Sequence, residues 1–233
     1  VRLRADINNY TRGMRQAADS TSRLAGAGAA VGTAMVTGFA IAAASAAKFD
    51  KALSNVRAVT QASGKEMAAL RAAALEAGKT TSYTATEAAN AEAELARAGV
   101  KVADITGGAL KGTLALAASG QMDLADSAVI AAQAMNTFGL KGKDVTHVAD
   151  VMSAAANKSA ADMNGLGMSL RQGGLLAKQT GLSLEDTVGT LAAFADHALI
   201  GSDAGTSLKV MLQRLTPQSV EARTMMDKLG FTA

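Results

Sequence analysis

The chain of 233 residues contains no cysteine, no tryptophan and a single proline. Without cysteine it can form neither disulfide bonds nor thiolate metal sites, and it has no cysteine nucleophile. Its five Phe and two Tyr make up 3% of the sequence, whereas strands of β-sandwiches and barrels are rich in aromatic and β-branched residues. These shortages argue against a β fold and against thiol chemistry.

Alanine is what the sequence has in abundance, with 54 of the 233 residues. Alanine is the strongest helix former because it loses no side-chain entropy when a helix forms. Small apolar side chains, and not bulky ones, therefore supply much of the 49% hydrophobic content. The composition predicts an all-α fold whose helices approach each other closely.

The positive charge is confined to the amino-terminal end. The net charge is +3, and residues 1–23 carry five Arg against two Asp, so the remaining residues are balanced overall. A nucleic-acid-binding surface would combine basic residues with aromatic stacking partners, and here the aromatic residues are few and scattered. We therefore expect no sequence-specific nucleic-acid partner.

Residues 24–47 contain no charged side chain. This run is long enough to cross a bilayer, which takes about 20 apolar residues, and Gly28 and Gly32 have the spacing of closely packed helices. Most of the run is Gly and Ala, which are weakly lipophilic. A buried packing or self-association helix and a membrane-spanning segment both stay open.

Glycines divide the region after residue 49 into short segments. They recur at intervals of about 20 residues or twice that, at Gly78, Gly99, Gly120, Gly139, Gly181 and Gly201. Helix-start signals follow several of them: the box-like pairs Thr84 and Glu87, Ser159 and Asp162, and Ser183 and Asp186, and the simple caps Asp123 and Asp144. Pro217 should interrupt the array after Leu215, with a last helix over roughly 218–229 ending at Gly230. A helix and a connection in each unit predict an array of short Ala- and Gly-rich helical hairpins, solenoid-like or bundled.

Motifs that carry chemistry are weak or missing. Gly78-Lys79-Thr80 ends like a phosphate-binding loop, but position 73, where that loop needs glycine, is Ala. His147 shares a helix face with Asp144 and Asp150, without the further ligands that a metal needs, and His197 stands alone. We predict no catalytic, cofactor-binding or metal-binding residues, no cofactor, and no enzyme.

Several segments between residues 49 and 215 together resemble a known family. They are FDKALSNV at 49–56, AGKTT at 77–81, TATEAA at 84–89, LARAG at 95–99, AMNTFGL at 134–140, AAANKS at 154–159, TGLSLED at 180–186 and GSDAGTSL at 201–208. In this order and spacing they are similar to the TP901-type core region of phage tail tape measure proteins. The leader at 1–17 also resembles the opening of such proteins, and the chain is expected to be the amino-terminal part of a longer one.

The resemblance implies a structural role in the virion. A tape measure protein sets tail length and templates assembly of the tail tube from within the tube lumen. The implied partners are the tail tube protein, tail tip and distal tail proteins, tail assembly chaperones and further copies of the chain. The implied location is the lumen or tip of the virion tail, with the host cytoplasm during assembly.

The expected domains follow the same division. Residues 1–23 form a basic arm and amphipathic helix, 24–48 an apolar helix, 49–215 the helical repeat core, and 216–233 a terminal helix that leads into the rest of the chain. Two other functions stay open. Residues 24–47 could contact the host membrane and form or aid a channel for genome delivery, or the array could be a general α-solenoid adaptor for other proteins.

Overall fold

A computed structural model describes residues 29–215, 217 and 219–230, with side chains from residue 42 onward except that of residue 222. These residues are helical and contain no strand, which confirms the all-α prediction. The α-helices of this part are α1 Ala29–Thr60, α2 Gly64–Thr80, α3 Ala85–Arg97, α4 Val102–Asp104, α5 Leu110–Gly120, α6 Leu124–Phe138, α7 Val145–Lys158, α8 Met163–Gln179, α9 Leu184–Asp196, α10 Gly201–Leu215 and α11 Val220–Lys228. A π-helical turn, Ile105–Ala109, joins α4 to α5, and a 3₁₀ turn, Gly142–Asp144, precedes α7.

The chain divides into two compact units between Lys51 and Ala52, inside α1. The second unit contains α2 to α11. The arm expected at residues 1–23 lies outside the described residues. The expected boundary between residues 48 and 49 falls inside α1, which runs through it without a break.

The apolar run does not form a helix of its own. Residues 24–28 lie outside the described part, and residues 29–47 belong to α1, which continues through the charged residues Lys48, Asp50 and Lys51. Among the described helices, none is long and apolar enough to cross a membrane. The prediction of a separate apolar helix is therefore corrected, and the channel alternative finds no support in these helices.

Reciprocal capping boxes stand at the starts of three of the described α-helices, and Asp123 caps α6 as predicted by accepting from the Ala125 N–H. Thr84 and Glu87 at α3, and Ser183 and Asp186 at α9, form reciprocal boxes as predicted. In each, the hydroxyl accepts from the third backbone N–H of the helix, and the carboxylate accepts from the cap N–H. Ser63 and Glu66 form a third box at α2 that was not predicted.

Two of the predicted caps are wrong. Ser159 is the residue after α7, where its hydroxyl donates to the Ala155 carbonyl, and Asp162 caps α8 by accepting from the Gly165 N–H. Asp144 precedes α7 without capping it, because its carboxylate accepts from the Lys141 N–H across the 3₁₀ turn. The helix after Ser159 thus begins three residues later than the spacing suggested, whereas α7 begins directly after Asp144 as predicted but without a cap bond from its carboxylate.

Glycines end some helices but not all of those expected. Gly99, Gly139 and Gly181 have positive φ and close a helix end. Gly78 lies inside α2, and at the end of α5 it is Gln121, after Gly120, that takes the left-handed conformation. After Pro217, α11 runs from Val220 to Lys228, close to the predicted last helix.

The helices of the second unit pack in two rows. One row is α3, α6, α8 and α10, which begin about 39 residues apart, and the other is α5, α7 and α9. Each helix also packs against the next one along the chain in the opposite row. The core therefore lies between the rows, where buried Ala and Leu side chains dominate.

Glycine allows the closest contact within a row, between α8 and α10. A Cβ at Gly173 would lie 2.7 Å from the Gly205 carbonyl oxygen, and a Cβ at Gly205 would collide with the Ser169 carbonyl oxygen. Ser169 also donates its hydroxyl to the Gly201 carbonyl, 2.6 Å away. The two backbones touch here, which no larger residue would permit.

Candidate interaction site

An apolar groove of about 730 Å³ lies between α2 and α5. Its floor consists of the buried side chains of Ala77, Ile105, Leu110 and Leu114. Its walls are residues 73–80 of α2 and 110–118 of α5, and the loop with Tyr83 also lines it. The wall along α5 is about 12 Å long, at 1.5 Å per residue.

The π-helical turn creates this groove. It packs against both α2 and α5 and stands between them, so these two helices do not pair as α5 and α7 do. Gly108 has φ 138°, and a Cβ there would lie 3.0 Å from Lys143 Cα in the 3₁₀ turn before α7. The turn is thus held by the following unit, and the groove stays open beside it.

The groove has charges at its rim and a phenol at one end. Glu76 on α2 and Lys111 on α5 are both exposed. Burial raises the pKa of Tyr83, and the nearby carboxylates of Glu87 and Asp123 raise it further. An apolar floor with one rim charge of each sign suits a helix with a narrow apolar stripe.

A buried carboxyl group lies in α3. Glu92 is 0% exposed, and neither of its carboxylate oxygens has a hydrogen-bond partner. Burial raises its pKa to about 8, so the group is mostly neutral at pH 7. The helix around it packs against α2, α5 and α6, which leaves no water-exposed side for the carboxyl group.

Side-chain hydrogen bonds join neighbours within the rows. Asn136 Nδ2 donates to the Ala98 carbonyl at 2.8 Å, and Ser153 donates to the Ser119 hydroxyl at 2.8 Å. The Ala160 N–H donates to the Asp196 carboxylate at 2.8 Å. The partners are 34 to 38 residues apart in sequence, so each bond links one two-helix unit to the next.

His147 does not gather with Asp144 and Asp150. Its Nε2 lies 2.6 Å from Oε1 of Glu185, on α9, and this contact lowers the pKa of Glu185. His197 is exposed just after α9. In the part of the chain that the structure describes, no three His, Asp or Glu side chains gather as a metal site would need.

Gly78-Lys79-Thr80 is the last turn of α2 and not a loop. The Thr80 hydroxyl donates to the Glu76 carbonyl one turn back, and a Cβ at Gly78 would lie 2.7 Å from the Ala85 amide nitrogen. The glycine therefore lets the end of α2 meet the start of α3. Gly78 therefore has a role in packing these two helices together.

A second apolar surface lies on α11. Met225, Met226 and Leu229 recur at positions i, i+1 and i+4, which makes one stripe along the helix. Met225 is 57% exposed and Leu229 65% exposed, and no described helix packs extensively against α11. Asp227 lies on the opposite side of the helix.

Neither the groove nor Glu92 was predicted from the sequence. In α3 the polar residues Glu87, Asn90, Glu94 and Arg97 share the face that is not buried, whereas Glu92 lies among Ala88, Ala89 and Leu95 on the buried face. Its place on the apolar face was therefore a signal in the sequence that could have identified it. The groove depends on a π-helical turn, which has no reliable sequence signal. Met225 and Met226 are visible in the sequence, but a methionine pair does not by itself show whether its side chains are buried or exposed.

Two rows of short helices, tied together by side-chain bonds, define an all-α helical array. A family model described as phage-related minor tail protein matches residues 71–233, and the chain belongs to this family. No solved structure matches the chain at a significant level.

Two curated relatives carry related names. The tape measure protein of Pneumococcus phage Dp-1 is 31% identical over 248 aligned positions, which cover 99% of this chain and 22% of that protein. The probable tape measure protein of Escherichia phage P2 is 34% identical over 165 positions, which cover 71% of this chain and 20% of that protein. The chain thus spans about a fifth of the length of the relatives it matches.

Proposed function

We propose that this chain is part of a tape measure protein, a structural component that sets tail length while the tail tube assembles around it. The similarity to two proteins of that name, one of them along almost the whole chain, carries the proposal. The match to the minor tail protein family supports the same role.

The array suits a ruler because its length is counted in equal units. Each pair of helices adds about 39 residues, and each unit contacts chiefly the units before and after it. Drawn out as one helix, 233 residues would span about 350 Å, at 1.5 Å per residue. Packed in two rows, each added helix pair lengthens the array by only about 8–10 Å, roughly one spacing of helix axes.

The proposed division of the chain follows the sequence. Residues 1–23 form a basic arm, 24–48 an apolar segment, 49–215 the solenoid-like core of helical hairpins, and 216–233 a terminal helix. The row packing of α3 to α10 supports the hairpin core. The arm is the segment most suited to a task of its own, because it carries the whole net charge.

The partners that we propose are the tail tube protein, proteins of the tail tip and the chaperones of tail assembly. The protein would lie in the lumen of the virion tail, and in the host cytoplasm while the tail assembles. Residues beyond 23 have no net charge, which would limit electrostatic attachment to a tube wall of either sign.

The test is a deletion of one helix pair, residues 124–162, from the parent phage gene. Tail lengths are measured on virions by electron microscopy. If these residues form one extended helix inside the tail, their deletion shortens the tail by about 58 Å, at 1.5 Å per residue. A duplication of the same residues should lengthen the tail by the same amount. A compact unit would give a change of about 8–10 Å, because each row loses one helix.

A replacement of residues 124–162 by 39 residues of unrelated Ala-rich helix is the control. This replacement keeps the number of residues and changes only their sequence, so a ruler role predicts that the tail length is unchanged. Virions whose tails keep their length after both the deletion and the duplication would contradict the proposal.

A further inference from the structure

Two apolar surfaces in the described part of the chain have no described helix packed over them. One is the groove between α2 and α5, and the other is the stripe of Met225, Met226 and Leu229 on α11. The groove lies beside α5, the first helix of its row, whereas α11 follows α10, the last helix of the other row, along the chain. We propose that the groove of one copy binds α11 of a second copy, so that the chains associate head to tail.

The dimensions of the two surfaces agree. The nine residues of α11 span about 13 Å, and the α5 wall of the groove is about 12 Å long. A single turn of helix would leave much of the floor uncovered, whereas two and a half turns fill it. The helix is therefore of the length that the groove accepts.

The chemistry of the surfaces also agrees. The floor of Ala77, Ile105, Leu110 and Leu114 is apolar, and the small side chains of Ala73, Ala115 and Ala118 on the walls leave room for a helix to approach. Methionine side chains are flexible and adapt to irregular apolar surfaces of this kind. Met225 loses the greater part of its exposed surface when it enters such a groove.

The charges at the edges are complementary. Glu76 and Lys111 stand on opposite rims of the groove. The stripe on α11 is flanked by Glu221 and Lys228 on one side and by Arg223 on the other. A basic residue is thus available to Glu76 and an acidic one to Lys111, which favours a defined register over non-specific contact.

The contact joins different surfaces on the two copies, so it is heterologous. Each bound copy still presents one free groove and one free α11, and the assembly continues as an open chain or closes as a ring. It does not depend on a ruler role, since it rests on the two surfaces alone.

The test measures the mass of the 233-residue chain by sedimentation over a range of concentrations. We expect the average mass to rise above the 23.4 kDa of one chain, and to rise past that of a dimer. Ala115→Arg, on the exposed wall of the groove, and Met225→Asp, on the stripe, should each weaken the association at least about tenfold. Ala72→Arg and Thr224→Asp place the same groups on exposed positions outside both surfaces and should leave it unchanged.

A mixture of the two variants separates the proposal from simple misfolding. Ala115→Arg retains an intact α11 and Met225→Asp retains an intact groove, so together they should form a one-to-one dimer and stop there. Monomers at all concentrations of the unaltered chain would overturn the proposal. So would association that survives in both variants, or a mixture that stays monomeric.

Discussion

Nε2 of His147 and Oε1 of Glu185 lie 2.6 Å apart and connect α7 to α9. Both side chains are more than half exposed, so water screens their attraction. The contact lowers the pKa of Glu185. A carboxylate with a lowered pKa stabilises the fold above its unfolded pKa of 4.5 and stops doing so as the pH falls through its folded value.

The His147–Glu185 pair should therefore contribute little, and only while the Glu185 carboxyl group is ionised. We expect a coupling of about 0.2–1 kcal/mol at about pH 7 and less at about pH 3, because the pH then falls toward the lowered pKa of Glu185. The measurement is a double-mutant cycle of His147→Gln and Glu185→Gln by urea unfolding at both pH values. Equal coupling at the two pH values would contradict an ionic contribution.

Glu92 should make the protein less stable as the pH rises. Its folded pKa is about 8 against 4.5 for an ordinary Glu, so between these values the unfolded chain releases a proton that the folded chain keeps. The free energy of unfolding should fall by about 3 kcal/mol between about pH 5 and pH 8, at about 1.4 kcal/mol per pKa unit. Below about pH 4.5 this penalty is absent.

Glu92→Gln should remove most of that pH dependence, and Glu92→Leu should remove it and leave no polar group buried. Urea unfolding across the pH range measures both. Glu76→Gln, at an exposed position, is the matched control and should keep the slope of the unaltered chain. A slope that Glu92→Gln leaves intact would show that other groups cause it.

The capping box at α3 should contribute measurably to stability. Thr84→Ala removes the hydroxyl that accepts from the Glu87 N–H, and such a loss costs about 1 kcal/mol. Ser82→Ala, two residues earlier and outside the box, should change the unfolding free energy by less than about 0.5 kcal/mol. If thermal or urea unfolding finds the two variants equal, the box adds nothing.

Gly205 and Gly189 should respond in opposite ways to alanine. A methyl group at Gly205 would collide with the Ser169 carbonyl oxygen on α8, and separating α8 from α10 should cost about 1–3 kcal/mol. At Gly189, within α9, a Cβ would meet nothing within 4 Å, so alanine should stabilise the helix by about 0.5–1 kcal/mol. Unfolding of both variants in urea gives the comparison, and a harmless Gly205→Ala would mean that the rows can separate freely.

Capping signals predicted the start of a helix correctly where the sequence offered only one candidate for the capping residue. Thr84 and Ser183 cap helices as expected, because each is followed at the third position by a carboxylate that completes the box. Ser159 met the same spacing and failed, because its hydroxyl bonds back to α7 and Asp162 caps α8 instead. The spacing of a capping box does not show whether its first or its fourth residue caps the helix.

The features that depend on packing between helices could not be predicted from such local sequence signals. In α3 the spacing of Glu87, Asn90 and Glu94 marks the exposed side, but it does not show that the apolar side, where Glu92 lies, is completely closed to water by other helices. The groove needs the π-helical turn to hold α2 and α5 apart, which is a property of three segments together. The low aromatic content helps to predict the fold class. It does not help to locate the groove, because the sequence offers few large aromatic side chains that would mark an apolar surface.

The row packing has a consequence for how the array comes apart. Since each helix pair contacts chiefly its nearest neighbours, melting can begin at one end and advance pair by pair, without a single all-or-none transition. Each step would release about 39 residues, and an intermediate with any number of pairs still packed would be a stable stopping point. Cooperativity would then be short-ranged, and pulling on one end should yield a staircase of similar extensions in place of one rupture.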